Sequence, residues 1–496
     1  MFAIACAHPR IRQSWRCRAF IRHAGRRFLL LSAGALLLTG CASLSSDGGM
    51  SFLANTAGRD LGKDVAAIRT PEQAFAAQAR VQHLLRRPLS ADDAVQIALL
   101  NNRGLQAAYN ALGIAEAEMV QASLPPSPGL SLERIVSAAE IEIETRIVAN
   151  ILAIATLPAR AEIATDRFRQ AQLRAAEETL RVAAETRRAY YRAVAQQELA
   201  GVLAQTQSAA ETAAQLARRL SETGAMNKLD TAREQVFFLE ITAQLATARQ
   251  RAASERERLI RLTGLWGGDT DFKLPRSLPA LPRRLRGLPS IEMDAIARRV
   301  DLQVARIEVE ALAKTLGLVE ASRFISLFEV AGIGKTNIER ATGHRERGRG
   351  FELELQIPIF DWGETRARQA SETYMQAVNR LIDKAVTIRS EARDAYGVYR
   401  STYGIATRYR REILPLRKTI SEEMLLRYNA MQIDVFALLV ESRQRLAVTI
   451  AAIEAQREFW LATTNLLVAT VGGGGSSGAT AEGPRPSAAG SEAAAH

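Results

Sequence analysis

The sequence predicts an α+β membrane protein, in which long α-helical hairpins are joined to strands with one apolar face and the whole unit occurs twice. Residues 351–360 alternate apolar with mostly polar side chains, as expected for a strand between two different solvents. Residues 161–220 contain no proline and a single glycine, and a helix of that length would be a rod of roughly 90 Å. Landmarks that recur at intervals of about 200 residues indicate an internal duplication.

Residues 1–40 have the features of an export signal. Two arginines at 26–27 precede the apolar run 28–38, which is too short for a transmembrane helix because spanning needs about 20 residues. The tetrapeptide Leu38-Thr39-Gly40-Cys41 resembles the bacterial lipoprotein box, in which the cysteine becomes the lipid-bearing first residue of the mature chain. In that resemblance Ala42 implies release to the outer membrane. The alternative is that Cys41 is an ordinary leader cysteine.

Composition excludes several classes of function. Seven arginines and no acidic residue lie in residues 1–40, so the formal charge falls from +12 to +5 without them, and we predict no nucleic-acid partner. The other two cysteines lie in the same segment, which excludes disulfides from the mature chain. The sequence Gly334-Lys335 lacks the glycine that a phosphate-binding loop needs five positions earlier, where Glu329 stands. No histidine has metal-ligand spacing, so we predict no enzyme, no metal and no cofactor beyond a covalent lipid on Cys41.

After the signal peptide, residues 41–87 read as a surface linker with one helix from Pro71 to Leu85. The first repeat spans 88–290. Its first helix begins after the N-cap Ser90 and continues to about Ala122. Strands are expected at 130–136 and 140–157, although 151–155 could be helical on periodicity alone. Long helices at 161–220 and 226–262 follow, separated by a turn at 221–224, and 263–290 is loop-like.

The second repeat spans 291–471, and residues 472–496 are expected to be a disordered tail. Strands are predicted at 323–334 and 351–360, joined by a charged loop at 335–349. Asp361 is the expected N-cap of the next helix, with Glu364 three residues on. That helix runs to about Ile413, kinks at Pro415 and is followed by another that reaches Val471. Three pairs of landmarks support the duplication: the segments around Leu105 and Leu302, Leu157-Pro158 and Ile357-Pro358, and Ala225-Met226 and Ala430-Met431.

Strand counting requires more than one chain. Sheets that span a bilayer must close, and known barrels start at about eight strands, whereas one chain offers four. Several chains must therefore share a barrel, with a wall of alanine-rich helices below it. In such a barrel we expect Phe351, Leu353, Leu355 and Ile357 to face lipid. The intervening residues Glu352, Glu354 and Gln356 would face the lumen.

At this point the sequence resembles the TolC-like outer membrane efflux protein family, in its lipoprotein form. The segments that carry the resemblance are 88–105, 121–132, 224–230, 262–264, 299–302, 357–363 and 427–439. The resemblance implies a homotrimer with a shared 12-stranded β-barrel, four strands per chain, above a trimeric α-barrel in the periplasm. It further implies a passive exit duct in the outer membrane, which docks onto a periplasmic adaptor protein and an inner-membrane efflux transporter.

The resemblance also implies roles for the two helical tips. Gly224, Ala225 and Met226 at one tip, and Asn429, Ala430 and Met431 at the other, would contact the adaptor. Tyr428 matches a position near the family's closing constriction, and Asp434 is the nearest carboxylate, although it falls a few residues short of the family's acidic ring. Both are candidate gate residues, and the alternative for Asp434 is a solvated helix face. The family's second tip usually has glycine, for which Asn429 or Met431 stands here.

A second class of function also fits part of the sequence. The chain could be a lipid-anchored coiled-coil interaction protein without a pore. Paired strands with one apolar face discriminate between the two, because a rod has no use for them.

Overall fold

The computed structural model describes residues 44–433 and 435–473. The signal peptide, Cys41, Asp434 and the tail from residue 474 lie outside the described residues. Helices before the second repeat are α1 Met50–Leu61, α2 Pro71–Leu85, α3 Ala91–Asn101, α4 Arg103–Ser123, α5 Ile151–Ala155, α6 Leu157–Glu222 and α7 Lys228–Thr263. Later helices are α8 Ile291–Arg298, α9 Val300–Ala321, α10 Glu364–Arg408, α11 Leu414–Asn429 and α12 Val435–Val471. The strands are β1 Gly129–Val136, β2 Glu140–Asn150, β3 Leu327–Glu339 and β4 Arg345–Gln356.

Two long helical hairpins dominate the fold. The first pairs α6, which has 66 residues and is about 100 Å long, with α7. The second pairs the nearly continuous α10 and α11 with α12. A π-helical turn at Tyr409–Ile413 joins α10 to α11 just before Pro415, where the sequence predicted a kink. Among the described residues, no helix combines the length and the apolar character needed to cross a membrane.

The order of elements repeats, as the sequence predicted, but only one of the three landmarks is a structural equivalence. Asn102 and Arg299 both cap the second helix of their repeat with nearly the same backbone angles, so the match around Leu105 and Leu302 is confirmed. Leu157 opens a long helix, whereas Ile357 follows a strand and precedes a turn. That correspondence was therefore wrong.

The helix expected from Ser90 to about Ala122 is two helices, α3 and α4. Ser90 caps α3 as predicted, with its side chain accepting a hydrogen bond from the Asp93 N–H at 3.1 Å. Asn102 interrupts the helix because its side chain accepts from the Leu105 N–H at 3.0 Å and so starts α4. A side chain that caps a helix competes with the continuous helix, which is why the periodicity alone did not show the break.

The expected linker contains a second helix, α1, and is bound closely to the molecule. The extended segment after α1 is held by two buried glutamines. Gln96 exchanges hydrogen bonds with the backbone of Asp64 at 3.1 and 2.9 Å, and Gln106 bonds the Ile68 N–H and the Ala66 carbonyl, both at 2.9 Å. These pairs satisfy backbone groups as a neighbouring strand would.

Farther towards the N-terminus, the Ser45 N–H donates to the buried carboxylate of Glu116 on α4 at 2.7 Å. The N-terminal segment is therefore attached along the helical layer from the first residues that the structure describes.

The second strand pair is longer towards its loop than predicted. Residues 335–339 and 345–349, expected to be a charged loop, continue β3 and β4, which leaves a loop of only five residues at 340–344. Gly334 pairs with Arg349 and Thr336 with Arg347 in a regular antiparallel register. At the other end β4 stops at Gln356, so residues 357–360 are not in the strand. Pro358 cannot donate a backbone hydrogen bond, which explains why pairing ends there.

The start of α10 also differs from the prediction. Gly363, in the left-handed region with φ of 71°, is the N-cap residue, and Asp361 lies two positions earlier. The Asp361 carboxylate accepts from the Gly363 N–H at 3.0 Å, which holds the pKa of that carboxyl below its usual range. A Cβ on Gly363 would lie 2.3 Å from the Arg323 carbonyl oxygen, so no other residue fits this turn.

The hydrophobic core lies where the short helices pack on the hairpins. Leu89, Ile97, Tyr190 and Leu259 are buried together there, and the Tyr190 hydroxyl donates to the Leu89 carbonyl at 3.0 Å. Smaller clusters continue along the hairpins towards their tips. The core thus holds together the ends of the two hairpins that lie away from their tips, called the root below. The sheet and the tips lie at opposite ends of the molecule.

Candidate channel surfaces

The four strands form one antiparallel sheet in the order β1-β2-β3-β4. Residues that pair across strands share a face, so the registers assign every side chain to one of two faces. One complete row across the sheet is Leu130, Ile147, Gly332 and Phe351. The adjacent row, on the other face, is Gly129, Val148, Ala331 and Glu352.

The face that contains Phe351, called the apolar face below, has no aspartate or glutamate among its sheet residues. Its residues are Leu130, Leu132, Arg134, Val136, Ile141, Ile143, Thr145, Ile147, Ala149, Phe328, Val330, Gly332, Gly334, Thr336, Ile338, Arg345, Arg347, Arg349, Phe351, Leu353 and Leu355. Phe351 is 82% exposed in the single chain, and such a broad exposed apolar surface is typical of an interface with lipid or protein.

The opposite face, called the polar face, is acidic. Its glutamates are Glu133, Glu140, Glu142, Glu144, Glu329, Glu339, Glu346, Glu352 and Glu354. Its only basic residues among the sheet positions are Arg146, which is ion-paired with Glu352, and Lys335, which is ion-paired with Glu142. A cavity of ≈ 110 Å³ is lined solely by residues of this face, including Arg146, Glu329 and Glu354. The polar face therefore holds a small pocket between β2, β3 and β4.

Three of the four residues expected to face lipid, Phe351, Leu353 and Leu355, lie together on the apolar face. Ile357 lies one residue beyond the end of β4, because the strand stops at Gln356. Glu352, Glu354 and Gln356 lie on the polar face, on the opposite side from the three apolar residues. Whether lipid covers the apolar face stays a prediction.

The first hairpin turns where the sequence predicted. Gly224, just after α6, has φ of 73°, and the Ala225 N–H bonds back to the Leu220 carbonyl at 2.8 Å. Asn227 then caps α7 by accepting from the Asp230 N–H at 2.8 Å. This is the usual glycine-terminated helix end followed by a polar N-cap.

The second hairpin makes the same turn with a different residue. Met431 has φ of 57° and is 94% exposed, and the Gln432 N–H bonds the Arg427 carbonyl at 2.9 Å. Met431 is therefore equivalent to Gly224, and the sequence match of Ala225-Met226 with Ala430-Met431 is shifted by two residues. Asn429 ends α11 and does not supply the left-handed residue.

The gate residues are placed only in part. Tyr428 lies in the last turn of α11, next to the second tip, and is 40% exposed. Asp434 lies outside the described residues. The gating role of both stays a prediction.

An ion-paired cluster that the sequence reasoning missed joins the two hairpins near the tips. Glu234 on α7 is 3% exposed and accepts from the Arg443 guanidinium on α12 at 3.1 Å, while that guanidinium lies 4.2 Å from the Phe237 ring centre. Burial raises the pKa of Glu234, and Arg443 opposes this effect. The sequence feature that could have revealed this cluster is the position of Glu234, a carboxylate in the same buried stripe of α7 as Ile241 and Leu245.

A second missed cluster lies near the root of the hairpins. Arg299 and Asp301, both 5% exposed, form a bidentate ion pair at 3.0 and 2.9 Å, and Arg299 also bonds Glu391 at 2.5 Å. They line an open cleft of ≈ 650 Å³ together with Glu177 and Lys384. Burial, reinforced by the Asp301 carboxylate, raises the pKa of Glu177.

Comparison with known proteins bears on both the sequence and the fold. Residues 293–403 match the family model described as outer membrane efflux protein, which covers the Arg299–Asp301 pair, β3, β4 and most of α10. This segment of the chain is similar to the outer membrane efflux protein family. No curated protein sequence matches the chain significantly.

Solved structures share the fold of this chain. A membrane protein from Pseudomonas aeruginosa superimposes with a TM-score of 0.66 at 20% identity, covering 79% of this chain and 93% of that one. The outer membrane protein VceC from Vibrio cholerae gives 0.64 at 15% identity, covering 80% and 97%. The open state of the MtrE outer membrane channel from Neisseria gonorrhoeae gives 0.61 at 16% identity, covering 77% and 88%.

At these identities the likeness establishes the fold alone. Two long hairpins with a four-stranded sheet confirm the predicted α+β class with four strands per chain and do not favour the coiled-coil rod without strands. The trimer and its shared barrel stay predictions. Within the described residues, no group of three or more His, Cys, Asp or Glu is arranged to hold a metal.

Proposed function

We propose that the chain is the outer membrane channel of a tripartite efflux system, a passive exit duct made by three copies. The observation that carries the proposal is the two-faced sheet, apolar on one side and acidic on the other. Its outer strands, β1 and β4, each have a neighbour on one side only. Unpaired strand edges cannot face hydrocarbon, so neighbouring copies must pair with them.

In the closed barrel of twelve strands, the apolar face meets the lipid and the polar face lines the pore. Phe351, Leu353 and Leu355 contact lipid, and Glu352 and Glu354 contact water in the pore. The hairpins of the three copies then continue the duct into the periplasm, because the sheet and the tips lie at opposite ends of the chain.

The helical tips are the proposed docking site for a periplasmic adaptor protein, which connects the duct to an inner-membrane transporter. Gly224, Ala225 and Met226 form one docking tip, and Asn429, Ala430 and Met431 form the other. Tyr428 and Asp434 are the proposed gate. Energy comes from the transporter, and the duct itself needs no catalytic group.

The proposed anchor is a covalent lipid on Cys41. The variant Cys41→Ala should lose the lipid and be retained less well in the outer membrane, measured by metabolic labelling with a radioactive fatty acid and by membrane fractionation. Full labelling of the variant would exclude Cys41 as the modified residue.

The function is tested on the full chain purified in detergent and reconstituted into planar bilayers. We expect a trimer by light scattering and ion conductance that increases when the side chain of the proposed gate residue is shortened in the variant Tyr428→Ala. A monomer in every detergent, or trimers that never conduct, would exclude the duct.

The docking site is tested by disulfide or photochemical crosslinking to the adaptor. A cysteine at Ala225 should crosslink, whereas a cysteine at Gln244, exposed midway along the same hairpin, should not. Equal crosslinking at both positions would place the docking site elsewhere.

A further inference from the structure

The apolar face of the sheet carries four arginines at one end. Arg345, Arg347 and Arg349 are alternate residues of β4, and Arg134 lies on β1 in the same row as Arg347. All four are exposed. They are called the arginine belt below.

The belt has no carboxylate to pair with. No aspartate or glutamate lies on the apolar face of the sheet, and no ion pair joins any of the four guanidinium groups to a carboxylate of the described residues. The polar face behaves differently, since Arg146 and Lys335 there are both paired with glutamates. The sheet therefore separates its charges, with unpaired cations on one side and surplus carboxylates on the other.

The arginine belt lies at the end of the sheet that is far from the helices. Arg345 follows the loop 340–344, and Phe351, Leu353 and Leu355 lie between the belt and the start of α10. Arg345 to Arg349 spans about 13 Å of strand, or about 10 Å along the barrel axis at a tilt near 40°. The polar headgroup region of one leaflet is of similar thickness, about 5–8 Å, and arginine side chains extend beyond their own backbone position.

Closure of the sheet brings the belt residues together. β1 and β4 are the two edge strands, so in a shared barrel β1 of one protomer lies beside β4 of the next. Arg134 then joins the three arginines of the neighbouring β4 at each junction between protomers. Four like charges that face outwards, with no carboxylate on their side of the sheet, attract an external anion.

We propose that the arginine belt binds the phosphate groups of anionic lipid headgroups in the leaflet farthest from the helices. This inference rests on the proposed function, because the apolar face must lie in a bilayer. Guanidinium forks match phosphate oxygens in a bidentate geometry, and the apolar residues beside the belt hold the acyl chains of the same lipids. The lipid thereby contacts two protomers at once and stabilises the junction between them.

The experiment is native mass spectrometry of the trimer released from nanodiscs that contain phosphatidylglycerol and phosphatidylcholine in equal amounts. The test variant is Arg345→Gln/Arg347→Gln/Arg349→Gln. Its matched control is Arg283→Gln/Arg284→Gln/Arg286→Gln, which removes the same charge from three exposed arginines in the loop before α8. A third variant, with lysine at the three β4 positions, keeps the charge.

We expect the wild type to retain phosphatidylglycerol over phosphatidylcholine, and the control variant to do the same. Each arginine removed should weaken the preference about fivefold, so the glutamine variant should lose it by a factor on the order of a hundred. The lysine variant should keep most of the preference, and added salt should reduce it in every variant that has it.

An unchanged preference in the glutamine variant would overturn the proposal, and so would an equal loss in the control. Displacement of the lipid by inorganic phosphate alone would also overturn it, since the site would then bind free anions. The same spectra report the mass of the assembly, so absence of a trimer in the wild type would be recognised separately as failure of the proposed duct. If the triple glutamine variant does not assemble, Arg347→Gln alone should still reduce the preference about fivefold.

Discussion

The substitution Phe351→Arg tests which face of the sheet meets the bilayer. Phe351 lies five residues before the end of β4, roughly 17 Å along the strand and about 13 Å along the barrel axis. The apolar band of such barrels is about 25 Å tall, and Arg349 lies only two residues away, so Phe351 lies inside the band near the edge next to the arginine belt. Arginine costs about 2–4 kcal/mol at the midplane and about 0–1 kcal/mol near an interface, hence about 1–2 kcal/mol per chain here and on the order of 3–6 kcal/mol for three chains.

The matched control is Val148→Arg, which makes a similar change of charge and size in the adjacent row on the polar face. Val148 lies in the row of Glu352, so a new arginine there meets water and carboxylates. We expect this variant to assemble as the wild type does.

The assay is the fraction of trimer in detergent extracts of membranes, together with the temperature at which the trimer dissociates. Phe351→Arg should leave little trimer, and Val148→Arg should leave it intact. If Val148→Arg fails and Phe351→Arg assembles, the two faces are assigned the wrong way round. If both assemble equally well, the sheet does not lie in hydrocarbon.

Three further predictions concern the helices. Arg443→Ala leaves Glu234 buried without its partner and should lower the free energy of unfolding by about 1.5–3 kcal/mol. In thermal melting, the double variant Arg443→Ala/Glu234→Leu should recover part of this loss. If the losses of the two single variants simply add in the double variant, the pair does not interact. Met431→Gly relieves the strain of a left-handed backbone and should stabilise the trimer by about 1 kcal/mol. Gly224→Ala should lower the stability by a similar amount, because a Cβ there meets nothing within 4 Å and only the backbone angle matters. A lower melting temperature for Met431→Gly, or a higher one for Gly224→Ala, would contradict the assigned turns. The pKa of Glu177 is raised in the folded protein, which means that folding disfavours the ionised carboxylate. The resulting loss of folding stability begins as the pH rises above the ordinary carboxyl pKa and is complete above the folded-state pKa. Glu177→Gln should therefore raise the melting temperature at neutral pH and leave it unchanged at pH values where Glu177 is protonated; an equal effect at both would refute the ionisation argument.

Much of the architecture could be predicted from periodicity. The boundaries of α2 were found from Pro71 and the amphipathic pattern, and the start of α3 from Ser90. Such features depend on local chemistry, which neighbouring residues in the sequence reveal. The two-faced strands were recognised for the same reason.

The parts that were missed depend on residues far apart in the sequence. Residues 345–349 are rich in arginine and glycine and read as a loop, yet pairing with β3 makes them a strand. Tertiary contact overrode their weak strand propensity. Glu234 carries no local sign that Arg443, on another helix, lies beside it. Met431 was not foreseen as the left-handed residue because methionine has no preference for that conformation.

The hydrogen bond from Ser45 to Glu116 limits how far the lipid proposed on Cys41 would lie from the rest of the molecule. Four residues of fully extended chain reach at most about 14 Å. Glu116 lies seven residues before the end of α4, or about 10 Å from the end that leads into β1. The tether is therefore long enough to reach the level at which the sheet begins, yet too short to reach the distant leaflet. The acyl chains and the strands would enter the bilayer from the same side.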